Sequence, residues 1–275
     1  MSKTIVITGA GGVLCGTMAL ALAKEGHNIA VLDLRKEAAD DMADFIKNEG
    51  GNAIGVAANV LEKETLEKAK VAINEAFGKC DILINGAGGN HPLGTTSNPF
   101  LVAEDLMNKD KDFKTFFDLD VNGIQFVFNL NFIGTLLPTQ IFASDMVGRE
   151  GCSILNISSM NAFTPLTKIP AYSGAKAAVS NFTQWLAVHF SKVGIRVNAL
   201  APGFFLTDQN RSLLTKADGS LTPRGQQIIE QTPMGRFGEP EDLIGTALWL
   251  CGDSSRFVTG VVIPIDGGFA AYSGV

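Results

Sequence analysis

The chain has 275 residues, of which 46% are hydrophobic and 18% charged, so it has ample apolar material for a core and no disordered character. This length allows one or two domains, and we predict a single large α/β domain spanning residues 1–275. With 28 acidic against 22 basic residues the net charge is −6, and no Lys/Arg cluster interrupts it, which argues against a nucleic-acid partner.

The cysteines and the amino terminus indicate where the protein works. All four cysteines lie apart from one another inside apolar runs, which predicts free, buried and reduced thiols. The chain enters a strand-like run at once and lacks the pattern of a secretory signal. We expect no later apolar run to approach the roughly 18 residues that a membrane span needs. The sequence therefore predicts a cytoplasmic protein with no membrane partner.

Seven short apolar runs rich in β-branched residues recur along the chain, alternating with amphipathic segments. Strands that are apolar throughout are covered on both faces, and their alternation with helices predicts a parallel sheet. We predict a single-domain Rossmann fold, a doubly wound seven-stranded parallel sheet with helices on both faces. The runs are TIVIT (4–8), NIAVLDL (28–34), NAIGVAA (52–58), CDILIN (80–85), CSILNIS (152–158), IRVNALA (195–201) and GVVIPI (260–265).

A glycine-rich turn, TGAGGVLCG (8–16), follows the first run and precedes a helical pattern. In a Rossmann unit this place offers helix amides and a positive dipole end to a phosphate, and glycines let the backbone approach a pyrophosphate. The spacing departs from G-x-G-x-x-G, so a turn used only for packing is the alternative. The predicted cofactor contacts here are Thr8, Gly9, Gly11, Gly12, Val13 and Leu14.

The second run leads to Asp33, 24 residues after Gly9. A carboxylate at this place accepts hydrogen bonds from both hydroxyls of an adenosine ribose and repels a 2′-phosphate, which favours NAD over NADP. A helix cap or loop acid is the structural alternative for Asp33. Arg35 keeps NADP possible, because its guanidinium either stacks on adenine or binds a phosphate.

About 66 residues separate the fourth and fifth runs, far more than a usual connection. The segment opens with HPLGTTSNPF and NKDKDFK, and a helical pattern begins near Phe117. We predict an insertion at about 90–116 that elaborates the surface near the site.

The stretch AYSGAK (171–176) holds one of the two tyrosines and sets Lys176 four positions after Tyr172. A helix from about 171 to 193 places both side chains on one face, where the ammonium and the helix amino end lower the pKa of the phenol. Ser159 directly follows the fifth run, at the sheet edge where ligands bind in α/β folds. A phenol tuned in this way is a competent general acid or base, whereas an isolated Y-x-x-x-K is more often a solvated turn.

At this point the sequence resembles the short-chain dehydrogenase/reductase family over nearly its whole length. The motifs are TGAGGVLCG, INGAGG (84–89), NFIG (131–134), NISS with YSGAK, and APGFFLT (201–207). The resemblance implies that Tyr172 exchanges the proton, Ser159 orients the reacting carbonyl or alcohol, Lys176 lowers the pKa of the phenol and binds the nicotinamide ribose, and Asn131 holds a proton-relay water. Further implied cofactor contacts are Asn59, Val60, Asn85, Gly86, Ala87, Pro202, Gly203 and Thr207, together with Tyr172 and Lys176.

Two departures from the family pattern stand out. The later glycines of T-G-x-x-x-G-x-G would fall at Val13 and Cys15, so the pyrophosphate turn must be reshaped. Asn59 stands where the family commonly has an Asp that accepts from the adenine amino group, a bond that an amide oxygen can also accept.

Several further stretches, among them GGNHP (88–92) and PGFFLTDQNR (202–211), resemble the D-mannonate oxidoreductase (fructuronate reductase) branch of this family. That branch interconverts D-fructuronate and D-mannonate with a nicotinamide cofactor. A sugar acid needs one cation and several neutral hydrogen-bonding groups, for which we predict Arg211 and, for the hydroxyls, Asn90, His91 and Asn161. The alternative for Arg211 is an ordinary residue on the surface of a helix. No metal site is expected, because the three histidines are scattered.

The expected reaction is therefore hydride transfer between NAD(H) and a sugar acid. The alternative within the enzyme class is another keto sugar acid or polyol, such as a ketogluconate. The alternative of another class is a nicotinamide-binding regulatory protein without turnover. The resemblance also implies a homo-oligomer, a tetramer formed through the helices that carry Asn131 and Tyr172.

Overall fold

The computed structural model describes residues 2–274, apart from the side chains at positions 208 and 209. Seven strands alternate with helices along the chain, as the apolar runs predict. The strands are β1 (Thr4–Thr8), β2 (Asn28–Asp33), β3 (Asn52–Ala57), β4 (Ile82–Asn85), β5 (Cys152–Ile157), β6 (Ile195–Pro202) and β7 (Val262–Ile265). The helices are α1 (Val13–Lys24), α2 (Lys36–Asn48), α3 (Lys63–Phe77), α4 (Val121–Phe128), α5 (Gly134–Phe142), α6 (Pro170–His189), α7 (Asp208–Leu214), α8 (Pro223–Glu230) and α9 (Ile244–Cys251).

The strands form one sheet in the order β3-β2-β1-β4-β5-β6-β7, and every neighbouring pair is parallel. The chain therefore winds outward from β1 in one direction and from β4 in the other. This confirms the predicted Rossmann architecture. The carboxyl ends of β1 and β4 meet at the switch in winding direction, which is where ligands bind in such sheets.

Each face of the sheet carries its own apolar core. Along β1, the side chains of Ile5 and Ile7 pack with α1 and α9, whereas Val6 packs with residues of α3, α5 and α6. Because successive side chains of a strand point to opposite faces, a strand covered on both sides has to be apolar throughout. All four cysteines are free and buried, as predicted.

The segment between β4 and α4 is built from turns. Three short 3-10 turns, at Pro92–Gly94, Ala103–Met107 and Phe116–Asp118, precede α4. The helical pattern expected from Phe117 therefore begins four residues later, because Asp120 caps α4 by accepting from the amides of Asn122 and Gly123.

One continuous helical run, Val121–Asp145, is apolar enough by composition to cross a membrane, with a mean hydropathy of 1.3 in its most apolar window. The expectation that no run would reach this length was therefore wrong. Half of that window is buried in the fold, as in a helix that packs on a core. The run is not a regular helix, because a π turn at Asn129–Ile133 joins α4 to α5.

Candidate active site

The predicted site residues converge on the carboxyl edge of the sheet. Thr8 ends β1, Asp33 ends β2 and Asn85 ends β4, while Ser159 lies two residues beyond β5 and Pro202 ends β6. In parallel strands these ends face the same side, so residues distant in sequence come together there.

The turn after β1 leaves the amino end of α1 open to a ligand. Gly12 is the N-cap of α1, no side chain caps its amides, and the first turn contains no acidic residue. The amides of Val13 and Leu14 therefore keep their donors for an anion at the positive end of the helix dipole. Gly9 has a φ of +69° and its backbone lies against Ala87, so a side chain there would be both strained and obstructed. The turn fits a pyrophosphate.

Asp33 closes the adenosine side of the same turn. Its Oδ1 accepts from the amide of Arg35 at 3.1 Å, and its Oδ2 would lie 2.8 Å from a β-carbon placed on Gly11. The carboxylate is half-buried beside the glycine turn, where a ribose can reach it. Asn59 uses its side chain locally, since its Oδ1 accepts from the amide of Leu61 at 3.0 Å. An amide oxygen has two lone pairs, so one remains for an adenine amino group.

β4 is positioned by Thr8. The hydroxyl of Thr8 accepts from the amides of Gly86 (3.1 Å) and Ala87 (3.2 Å), which fixes the end of β4 against β1. Asn85 is buried, and its amide donates to Thr139 and Asn156 inside the fold. Asn85 can therefore reach a cofactor only through its backbone.

Asn131 lies in the π turn between α4 and α5 and is fully buried. Its amide donates to the carbonyls of Gly89 and Val127, both at 2.7 Å, while its Oδ1 accepts from the amide of Gly89 at 3.2 Å. A β-carbon on Gly88 would lie 2.7 Å from the Oδ1 of Asn131 and 3.1 Å from the Nζ of Lys176. Asn131, Lys176 and the Gly88–Gly89 backbone thus meet at one point, and only glycine fits at position 88.

Tyr172 and Lys176 lie one turn apart near the start of α6, with the ammonium 5.6 Å from the centroid of the phenol ring. Lys176 is 4% exposed, and its Nζ donates to the carbonyl of Ile157 at 2.8 Å. Ser159 is buried, accepts from the amide of Asn161 at 3.2 Å, and hydrogen-bonds Tyr172. Serine, phenol and ammonium therefore form one connected group beside the cofactor turn.

Helix α6 ends at His189 rather than near 193, because a separate 3-10 turn follows it.

The pKa values of this group differ from the expectation. Burial raises the pKa of the Tyr172 phenol above its usual 10, and the hydrogen bond from Ser159 offsets this only in part. Burial also lowers the pKa of Lys176 from 10.5 to about 8. The expected lowering of the phenol pKa by Lys176 is thus wrong for the chain alone, because removal from water disfavours the charged phenolate.

The loop after β6 approaches the end of β7. The amide of Gly203 donates to Ile265 at 2.9 Å, and a β-carbon on Gly203 would lie 2.6 Å from the α-carbon of Asp266. Thr207 is the N-cap of α7, and its amide donates to the side chain of Asn210 at 2.9 Å. Arg211 follows on α7 and is exposed.

The other predicted substrate residues divide into two groups. Asn90 donates to Thr95 at 3.0 Å, and His91 accepts from the amide of Leu93 at 3.2 Å, so both side chains brace their own loop. Asn161 is 4% exposed, and its Oδ1 has no partner among the described residues. A buried acceptor without a donor is costly, so Asn161 is the one of the three that is available to a ligand hydroxyl.

Sequence reasoning missed several positioning groups. Gly88 and Gly89 form the wall behind Asn131, and the carbonyl of Ile157 orients Lys176. The carbonyl of Lys168, a residue with a φ of +75°, accepts from the amide of Thr96 at 2.9 Å and ties the insertion to the loop before Tyr172. Backbone contacts of this kind leave no pattern in side-chain types, so only the glycine pair GG at 88–89 offered a signal.

The comparisons with known proteins agree with this geometry. The family model of the short chain dehydrogenases matches residues 3–218. An uncharacterised oxidoreductase of Haemophilus influenzae is 59% identical over 275 residues, which cover 100% of this chain and 95% of that protein. A crystal structure of a provisionally assigned D-mannonate oxidoreductase of the same species, with bound NAD, has a TM-score of 0.94 and 59% identity, covering 99% of this chain and 96% of that one. A gluconate 5-dehydrogenase of Burkholderia cenocepacia, solved with NADP and tartrate, has a TM-score of 0.83 and 27% identity, and the match covers 99% of this chain and 97% of that one. The chain belongs to the short-chain dehydrogenase family of oxidoreductases.

Proposed function

We propose that this protein is an NADH-dependent reductase of a keto sugar acid, which interconverts D-fructuronate and D-mannonate. The observation that carries the proposal is the connected group of Ser159, Tyr172 and Lys176 beside an uncapped helix end. The relative that is 59% identical and bears the D-mannonate oxidoreductase assignment, with NAD bound, supports the choice of substrate and cofactor.

Each residue of the group has a distinct part in the reduction. When bound, NADH supplies the hydride. The phenol of Tyr172 donates a proton to the substrate oxygen, and the hydroxyl of Ser159 holds that oxygen in place. Lys176 binds the nicotinamide ribose and returns a proton to Tyr172, by way of a water held at Asn131.

The pKa directions suit the reducing direction. A phenol whose pKa is raised by burial stays protonated at neutral pH, so the proton to be donated is present, although the phenol is a weaker acid than in water. Lys176, with a pKa of about 8, is charged at pH 7 yet gives up its proton easily. A proton donor works best when its pKa is near the working pH, which makes Lys176 a suitable source for the relay.

NAD is favoured over NADP by the position of Asp33. Its carboxylate stands beside Gly11, where the 2′ oxygen of an adenosine ribose would approach. A hydroxyl there donates to the carboxylate, whereas a phosphate is repelled. The remaining cofactor contacts are Thr8, Gly9, Gly12, Val13, Leu14, Asn59, Val60, Asn85, Gly86, Ala87, Pro202, Gly203 and Thr207.

Asn161 and Arg211 recognise the sugar acid in this proposal, whereas the side chains of Asn90 and His91 brace their own loop. The unpartnered Oδ1 of Asn161 accepts from a substrate hydroxyl. Arg211 meets the carboxylate. The matched experiment compares Arg211→Ala with Lys216→Ala, an exposed cation a few residues farther along. Arg211→Ala should raise KM for the acid at least tenfold while leaving KM for a neutral polyol unchanged; equal effects on both substrates would remove Arg211 from the site.

The decisive experiment follows NADH oxidation by the purified protein with D-fructuronate, repeated with NADPH and with Tyr172→Phe. We expect turnover with NADH, weaker turnover with NADPH, and a loss of at least 100-fold in the Phe variant, as for removal of a general acid, with NADH binding retained. A wild type inactive on every keto acid would favour the non-catalytic nicotinamide-binding protein.

A second candidate substrate is 5-ketogluconate. It is favoured by the gluconate 5-dehydrogenase with bound tartrate, whose fold matches over nearly the whole chain. Both substrates are keto sugar acids, so the same catalytic group serves either one. A ratio of kcat/KM values measured side by side would decide between them.

We also propose that the protein is a cytoplasmic homo-tetramer, assembled through the helices that carry Asn131 and Tyr172.

A further inference from the structure

The loop between β5 and α6 joins the two hydroxyl-bearing residues of the catalytic group. Ser159 lies at its start, and Tyr172 lies two residues beyond Pro170, where α6 begins. Lys168 stands near the end of this loop, four residues before Tyr172. Four residues of chain span at most about 14 Å, and the first turn of α6 shortens that distance. The ammonium of Lys168, on its flexible four-carbon stem, is therefore within reach of a substrate held at the two hydroxyls.

The backbone of Lys168 is held in a conformation that a lysine rarely adopts. Its φ is +75°, and no other non-glycine residue in the described chain has a positive φ. Glycine would take this conformation without strain, so the fold keeps a lysine here at a cost. Strain of this kind persists only where the surroundings hold it, and it clusters at functional sites. The amide of Thr96, which donates to the Lys168 carbonyl at 2.9 Å, is one such restraint. The position points to a use for the side chain.

The side chain of Lys168 is half-buried, and its charge has no partner. No hydrogen bond or ion pair joins its ammonium to any other group among the described residues. By contrast, half-buried Lys70 pairs with Asp145 at 2.8 Å, and the charge of half-buried Lys114 acts on the carboxylate of Asp120. A half-buried ammonium without an anion has lost part of its hydration and gained no attraction in return. An anionic ligand would supply the missing partner.

The same loop presents a second polar group without a partner. Asn161, two residues after Ser159, is 4% exposed, and its Oδ1 accepts no hydrogen bond among the described residues. A sugar acid has hydroxyls, which donate to such an oxygen, and a carboxylate, which needs a cation. The loop thus has an acceptor near Ser159 and a cation near Tyr172. Together they complement a ligand with hydroxyls along its chain and an anionic end.

We propose that Lys168 is a specificity-determining residue that binds the carboxylate of the keto sugar acid. This inference rests on the proposed function and adds a second cation to it. Arg211 lies on α7, which follows β6, and Lys168 lies in the loop that follows β5, so the two come from neighbouring strands at one edge of the sheet. A carboxylate has two oxygens and accepts from both cations. The keto oxygen meets Ser159 and Tyr172, and Lys168 selects for charge at the other end of the substrate.

The test compares D-fructuronate with D-fructose, which has the same keto carbon and a hydroxymethyl group in place of the carboxylate. Lys168→Met removes the charge and keeps a similar volume. It should raise KM for D-fructuronate at least tenfold, as for loss of a charged hydrogen bond, and leave the reduction of D-fructose unchanged. Lys168→Arg keeps the charge and should restore most of the affinity. The control is Lys192→Met, an exposed lysine before the amino end of β6, at the opposite edge of the sheet, which should match the wild type.

Lys168→Gly separates loss of the charge from distortion of the loop. Glycine adopts a positive φ freely, so this variant should unfold at a temperature close to that of the wild type and still show the same rise in KM as Lys168→Met. The affinity for NADH should be unchanged in every variant, because none of them alters the cofactor turn.

Two results would overturn the role of Lys168 while leaving the proposed reaction intact. One is a wild-type KM for D-fructuronate in Lys168→Met or Lys168→Gly. The other is an equal loss of activity on D-fructose, which would show that the lysine only supports the loop. A wild type that reduces no keto sugar acid is a different result, since it would overturn the proposed function and this inference together.

Discussion

Replacing Lys176 by Met should make the protein more stable at pH 7 while abolishing its activity. Lys176 is 4% exposed, and burial lowers its pKa from 10.5 to about 8. At about 1.36 kcal/mol per pH unit, keeping this ammonium charged in the folded chain costs about 3 kcal/mol. Met fills a similar volume without charge. The variant loses the hydrogen bond to Ile157, a loss of about 1 kcal/mol, so the net gain is about 2 kcal/mol.

The pH dependence of stability isolates this effect. Between pH 8 and 10.5 the unfolded chain holds the lysine proton while the folded chain has lost it, so the stability of the wild type rises with pH across that window. Lys176→Met lacks this contribution, so the amount by which its free energy of unfolding exceeds that of the wild type should shrink between pH 7 and pH 9.5. Urea unfolding at both pH values and equal protein concentration measures the difference. If the variant were no more stable at pH 7 and followed the same pH slope, the buried ammonium would not carry the inferred cost.

Three further predictions concern catalysis, cofactor choice and packing. The rate of NADH-dependent reduction should fall as pH rises through about 8, because Lys176 then loses the proton that it relays. A rate that stays unchanged up to pH 9.5 would exclude the relay. Asp33→Ser should raise the ratio of kcat/KM for NADPH over NADH at least tenfold, and an unchanged ratio would place the ribose elsewhere. Gly86→Ala forces a β-carbon into Sγ of Cys15 and should lower the free energy of unfolding by about 1–3 kcal/mol in urea titrations. Adding Cys15→Gly should recover only part of this loss, because the carbonyl oxygen of Thr8 would still lie 2.8 Å from the new carbon, and no recovery at all would show that Cys15 and Gly86 are not in contact.

The sheet could be predicted from the sequence because its determinants are local. Strands buried on both faces must be apolar throughout, and each predicted run agrees with an observed strand to within two residues at either end. The order of the strands could not be predicted in this way, because doubly wound sheets of different strand order share the same alternation with helices. The position of Tyr172 over Lys176 follows from helical spacing alone.

The electrostatics and the backbone contacts could not be predicted in the same way. The pKa of the phenol depends on how far Tyr172 and Lys176 are removed from water, which the spacing of two residues does not report. The convergence of Gly88 with Asn131 depends on a π turn at Asn129–Ile133, and nothing in the letters NLNFI indicates that turn. Such features come from tertiary packing rather than from local preference.

The departure of this chain from the family's glycine spacing has a physical explanation in the contact between α1 and β4. Cys15 stands where a glycine would be expected, and its Sγ occupies the space that a side chain on Gly86 would fill. The close approach of helix and strand therefore needs one small residue in this pair, and Gly86 supplies it. The phosphate-binding groups are the amides of Val13 and Leu14, and an amide donates whatever side chain it carries. Burial raises the pKa of Cys15 to about 12, so its thiol stays neutral and adds no negative charge where a pyrophosphate would bind. The turn can thus hold a dinucleotide with Gly9 supplying the left-handed conformation that the backbone requires.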